Sequence, residues 1–138
     1  MAQIVKREFL RELLEHEIKE LTRIKQQLNL AEHIPAVDNL TVAVVPVEKA
    51  DSEEVSKALK NALRDSDVIF PEDGFVVLLL PGTDEMGAIH ILEGVAEFMG
   101  GGVKFSYAVF PEDGTSPESL IERLSTRASH DLGIKLRV

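Results

Sequence analysis

The sequence predicts an α/β domain built on the order β-α-β-β-α-β, and three stretches carry that expectation. The first is Arg64 to Pro81, RDSDVIFPEDGFVVLLLP. Val68, Ile69 and Phe70 form one apolar run, and Phe75 to Leu80 form a second. Between them stands Pro71-Glu72-Asp73-Gly74, which reads as a four-residue hairpin turn. Proline suits the second place of such a turn, and glycine supplies a positive φ. The run FVVLLL has no polar break, so it belongs in the sheet interior, covered on both faces. The other two stretches flank the hairpin. Val55, Leu59 and Leu63 before it, and Ile91, Leu92 and Val95 after it, recur at helical spacing.

From the start of the chain, Gln3 to Asn29 reads as one amphipathic helix. Leu10, Leu13, Leu14, Ile18, Leu21, Ile24 and Leu28 fall on one stripe, with charged residues opposite. At about 1.5 Å per residue it is roughly 40 Å long. Glu17 and Lys25 interrupt strict heptads, which argues against a long coiled coil. The stripe serves either its own sheet or a second copy of the chain. The expected division is residues 1–29, the helix, and residues 30–138, the α/β body. Leu30 to Asn39 reads as a loop broken by Pro35 and Asp38-Asn39. Leu40 to Val47 is the first strand, with Pro46 marking its end. Asp51-Ser52 caps a helix running to about Asp65.

After the hairpin, Thr83 or Asp84 caps a helix that Gly100-Gly101-Gly102 ends. Val103 to Phe110 alternates, as a half-exposed strand does. Ser116-Pro117 opens the last helix and Gly133 closes it. Ile134 to Val138 reads as a short final strand. The middle of the chain is thus the split βαβ, or ferredoxin-like, arrangement. Its two crossover helices lie on one sheet face. The N-terminal helix or the last one must cover the other. FPEDG occurs at Phe70–Gly74 and again at Phe110–Gly114, with unlike flanks. It reads as one turn chemistry used twice.

Composition narrows the function. The chain has 138 residues, 44% of them hydrophobic and 28% charged, a globular balance. A net charge of −9 repels nucleic acid over most of the surface. The absence of cysteine removes thiolate nucleophiles and cysteine metal sites. No apolar run approaches the roughly 18 residues of a membrane span. No signal-peptide pattern opens the chain, so a cytoplasmic location is expected. His16, His33, His90 and His130 lie on separate elements without metal-ligand spacing. No cofactor is implied. Arg64 and Asp67, three apart at a helix end, read most simply as a local ion pair. An exposed pair of that kind contributes about 0–1 kcal/mol, which would leave Arg64 dispensable to the fold.

Several of these segments, taken in order, resemble the GGDEF nucleotide-cyclase domain family. They are Arg64-Asp65-Ser66-Asp67, then Val77 to Asp84 (VLLLPGTD), then Tyr107 to Gly114 (YAVFPEDG) with Ser116 to Leu120. In that family an RxxD element precedes the signature hairpin, and a strand closing in FPeDG leads to the last helix. The resemblance spans roughly residues 40–130. It also shows what is missing. The signature turn of glycines and acids is Pro71-Glu72-Asp73-Gly74-Phe75 here. The family's metal-binding aspartate falls at about Pro46, with Glu48 nearby. The DxLTGLxNR-type opening is absent, and Leu124-Ser125-Thr126-Arg127-Ala128 replaces the AD-x-ALY-x-AK pattern.

The resemblance therefore implies a degenerate, non-catalytic member. Its RxxD element is the family's product-binding inhibitory site, so Arg64 and Asp67 become candidate ligands for cyclic di-GMP. An arginine fork can bond guanine or phosphate. Two phosphates need a second basic group, and Lys57, Lys60, Arg123 and Arg127 are the candidates. The alternative is a protein-interaction or dimerisation module without a nucleotide ligand, including a homodimer through the N-terminal helix.

Overall fold

The structure is a computed structural model that describes residues 1–28, 32–48 and 52–136. Among these residues five strands form one sheet: β1 Gln3–Ile4, β2 Leu40–Pro46, β3 Val68–Glu72, β4 Phe75–Pro81 and β5 Ser106–Phe110. Five helices accompany them: α1 Leu10–Leu28, α2 Pro35–Asp38, α3 Ser52–Ala62, α4 Glu85–Phe98 and α5 Pro117–Leu132. The sheet order is β1-β3-β4-β2-β5. Strands β2 to β5 give the ferredoxin-like order, with every neighbouring pair antiparallel. Strand β1 adds a parallel edge beside β3.

The apolar run Val76 to Leu80 is completely buried, as its composition predicts. Alternation splits it between two layers. Val77 and Leu79 face Leu10, Leu14 and Leu21 of α1 and Leu120, Ile121 and Leu124 of α5. Val76, Leu78 and Leu80 face Leu59 of α3 and Ala88, Leu92 and Val95 of α4. Each such side chain contributes about 1.5–3 kcal/mol on full burial. The crossover helices do share one face. Both α1 and α5 are needed on the other, and the stripe of α1 lies on its own sheet.

The N-terminus departs from expectation. The helix does not begin at Gln3. Gln3 and Ile4 are a strand, Arg7–Phe9 make one 3-10 turn, and α1 starts at Leu10. The backbone explains this. Gln3 and Val5 donate to the carbonyls of Asp67 and Ile69, at 3.2 and 2.9 Å. Those bonds satisfy the free edge of β3 and place Ala2 in the core. Asn29, the expected helix end, lies outside the described residues.

The hairpin also differs. Pro71 and Glu72 continue β3, and Glu72 pairs with Phe75. The turn is therefore the two residues Asp73-Gly74, with Gly74 at φ 91°. Proline is tolerated there at the end of a strand. The second FPEDG folds otherwise. The Phe110–Pro111 peptide is cis, and the chain leaves the sheet at once. Asp113 turns back to accept from Val109 N at 2.9 Å and pairs with Arg127. One pentapeptide thus makes two structures, because its flanks supply different partners.

The remaining differences are local. Pro35–Asp38 closes one helical turn within the expected loop. Strand β5 is shorter than predicted, beginning at Ser106. Ile134 to Leu136 form no strand, and 137–138 lie outside the described residues, as does the Asp51 cap. Asp84 caps α4 by accepting from Gly87 N at 2.9 Å. Ser116 and Ser119 form a reciprocal cap on α5, which Gly133 ends at φ 67°. Among the described residues no helix is long and apolar enough to cross a membrane.

The Asp38 carboxylate joins α1 to α2. It accepts from Lys25 Nζ and from the Ile34 amide. Its pKa lies below the ordinary carboxylate value, mainly through the Lys25 bond and then the Ile34 bond. A depressed carboxylate stabilises the fold above its unfolded value, about 3.9, and loses that contribution as pH falls through the folded value. Lys25→Ala should therefore lower the melting temperature at pH 7, and the difference from the native chain should shrink below about pH 4. A constant difference across an acid series of thermal melts would contradict this role.

Candidate ligand site

Arg64 and Asp67 stand where α3 hands over to β3. The backbone turns between them, with Asp67 N donating to Arg64 O at 3.0 Å. The Asp67 side chain is wholly buried. Its carboxylate accepts from Arg64 N at 2.9 Å, from Nε at 3.1 Å to each oxygen, and from Nη2 at 2.6 Å. Nη2 also reaches Thr83 Oγ1 at 2.9 Å and Pro81 O at 3.2 Å. The pair predicted from spacing is present, but it is not a surface pair. Only the arginine is exposed, at 46% of its side chain.

This knot is tied from four directions. The Asp67 carbonyl accepts from Gln3 of β1. Thr83 sits between β4 and α4, and its carbonyl accepts from Thr41 of β2 at 3.0 Å. Thr83 is therefore a partner of Arg64 and not the helix cap, a role Asp84 takes. The PGTD stretch held this signal only in part, since a threonine before a capping aspartate has no fixed target. Gly82 permits the approach. It has φ 62°, and a Cβ there would meet the Ala36 carbonyl oxygen at 3.2 Å.

Beside Arg64 a groove of about 330 Å³ opens between α3 and α4. Leu59, Ala62, Leu63, Ile91, Val95 and Phe98 make it apolar, and Arg64, Asp67 and His90 border it. Phe98 is half exposed. The four candidate second cations do not line it. Arg127 is across the molecule, paired with Asp113, and Arg123 acts on that same aspartate. Lys60 faces the N-terminus with its carbonyl, which accepts from Ala2 N at 3.0 Å.

The position that the resemblance gives to the metal ligand is the end of β2. Pro46 there pairs with Phe75, and Val47 N donates to Gly74 O at 3.0 Å. Glu72 stands on β3, separated from β2 by β4, and lies 3.8 Å from Arg7 Nε. Burial lowers the pKa of the Arg7 guanidinium, and Glu72 opposes that shift. From the sequence Arg7 reads as part of the charged outer face of the N-terminal helix. It lies instead in the 3-10 turn, mostly buried beside Glu72, a place that depends on the N-terminal edge strand. Among the described residues no group of three His, Asp or Glu side chains could hold a metal ion.

Because Asp67 is buried, Arg64 is not dispensable to the fold. Removing the guanidinium takes charge-assisted bonds from a carboxylate that water cannot reach. Arg64→Ala should destabilise the chain by about 1.5–3 kcal/mol, the range for hydrogen bonds to charged groups. Urea denaturation checks this. A midpoint equal to that of the native chain would return the pair to the surface class.

No protein-family model matches the chain, and no curated protein sequence matches it. Solved structures do. A DGC protein of Thermotoga maritima aligns with a TM-score of 0.57 at 20% identity, over 91% of this chain and 95% of that one. A sensory box/GGDEF family protein of Caulobacter crescentus aligns at 0.58 and 17% identity, over 88% of each chain. The GGDEF domain of YfiN (TpbB) from Pseudomonas aeruginosa aligns at 0.55 and 18% identity, over 91% of this chain and 89% of that one. The chain therefore has the α/β fold of the GGDEF-domain proteins.

Proposed function

We propose that this chain is a non-catalytic regulatory domain of the GGDEF fold, one that acts in the cytoplasm by binding. Pro46 is the observation that carries this reading. It occupies the end of β2, opposite Phe75, where the resemblance places a metal-binding aspartate. A prolyl ring offers no oxygen to Mg²⁺, which takes oxygen ligands. Phosphoryl transfer depends almost entirely on metal and positioning. The tight Asp73-Gly74 turn supports the same reading, since it lacks the consecutive glycines that admit a phosphate to the backbone.

The groove beside Arg64 favours a second element, a cyclic dinucleotide ligand. Phe98 and the apolar walls suit the face of a purine. Arg64 Nη1 has no hydrogen-bond partner among the described residues, so it is the nitrogen left for a base or phosphate. Asp67 would act differently from the expectation. Its carboxylate is buried and occupied by Arg64, so it orients the arginine and does not contact the ligand. The alternative is a protein partner in the same groove. A homodimer through α1 would use residues other than Leu10, Leu14 and Leu21, which lie in the core.

Two measurements on the purified chain test the proposal. Incubation with GTP and Mg²⁺ or Mn²⁺, followed by nucleotide chromatography, should leave GTP unconverted. Cyclic di-GMP formation that Glu48→Gln or Glu72→Gln abolishes would contradict the non-catalytic reading. Thermal melts should shift upward with cyclic di-GMP and not with GTP. An unchanged melt and no calorimetric heat at roughly 100 µM ligand, where ordinary small-ligand affinity is visible, would leave the protein-partner reading.

A further inference from the structure

Among the described residues strand β5 is the last in the sheet, and one of its sides faces no strand. In an antiparallel strand the N–H and C=O of one residue leave on the same side, alternating along the chain. Tyr107 and Val109 therefore send four backbone groups away from β2. Three of the four are occupied from within the chain. Arg127 Nη1 donates to Tyr107 O at 2.8 Å. Val109 N donates to Asp113 Oδ2 at 2.9 Å, and Asp113 N donates to Val109 O at 2.7 Å. Asp113 thus meets Val109 as a residue on a neighbouring strand would. The two side chains are then locked by parallel bonds, Nη1 to Oδ2 and Nη2 to Oδ1, each 2.9 Å.

The groups so covered are complementary to themselves. About a two-fold axis at Ala108, Tyr107 of one copy would face Val109 of the other and close four N–H···O=C bonds. An uncovered edge of this kind is a template for strand addition. The opposite edge, β1, is only two residues long. We propose that the Asp113–Arg127 pair is a latch that keeps the β5 edge shut against pairing with β5 of a second copy of this chain. Its position fits the task. It bridges the turn after β5 to α5, so it closes the edge from both sides with groups the fold already fixes. An ion pair that merely joined turn to helix would have no need to engage the outward backbone of the strand.

The test compares the native chain with Arg127→Ala by light scattering over a wide concentration range. The variant should associate beyond the native state, its mass rising about two-fold as copies pair. Adding Tyr107→Pro should reverse this, because proline removes an outward N–H at an edge without breaking the ladder to β2. A folded Arg127→Ala chain with the native mass at every concentration would overturn the proposal. So would association that Tyr107→Pro leaves unchanged. Hydrogen exchange on the native chain tests it without any variant. The latched Val109 amide should exchange more slowly than the uncovered Tyr107 amide, and equal rates would overturn the latch.

Discussion

The burial of Val76 to Leu80 on both faces of the sheet is the constraint on which the rest of the structure depends. Five consecutive side chains are without solvent contact. A strand with that composition is stable only between two apolar layers, since either face left open would expose two or three large side chains. One layer comes from the crossover helices α3 and α4, as the β-α-β-β-α-β order requires. The other has no source within that order. It is assembled from α1 and α5, one element before the motif and one after it. The long N-terminal helix is therefore part of the core. Its outer face remains polar, with Arg11, Lys19 and Arg23 in ion pairs along the helix.

The candidate site inherits this arrangement. Asp67 is buried because β3 begins beneath the N-terminal edge strand, and Arg64 is drawn to it from the end of α3. The same guanidinium reaches Thr83, so it joins α3, β3 and the start of α4. A binding arginine is commonly held by a carboxylate that fixes its plane, and the buried Asp67 does this for Arg64. Under the proposed function, structural and binding roles would coincide in this one residue. At the far end of β2 the opposite holds. Pro46 closes the ladder against Phe75, and the hairpin beside it is as short as a hairpin can be. That end of the sheet is built for compactness, which is in keeping with the proposed non-catalytic role.

The sequence made some of this legible and left the rest to context. The buried strand, the two crossover helices and the cap at Ser116 followed from local chemistry, because each depends on residues a few positions apart, whereas the cap of α4 stayed open between Thr83 and Asp84. The N-terminal strand did not. Gln3 and Ile4 are two residues with no alternation to read, and only the free carbonyls of Asp67 and Ile69 make them a strand. The two FPEDG segments could not be distinguished either. One lies between strands whose register places Glu72 against Phe75, and the other lies beside Arg127, which draws Asp113 back to the sheet edge. The spacing of Arg64 and Asp67 predicted their contact but not its burial. Burial came from β1 and from Thr83, both distant in sequence.

The account stands or falls on α1 being a structural layer of the core and not an arm laid against it. Native-state hydrogen exchange in mild denaturant, read at the β4 amides Val77 to Leu79, tests this most directly. Leu14→Ala on α1 and Leu59→Ala on α3 are the probes, one for each face. Both side chains are fully buried, and both substitutions should lower the opening free energy of β4 by about 2–5 kcal/mol, the range for leucine truncation in a core. The account predicts that the two act alike. If Leu14→Ala speeds exchange within α1 alone and leaves β4 as protected as before, the N-terminal helix is not part of the core, and the two-layer account is wrong.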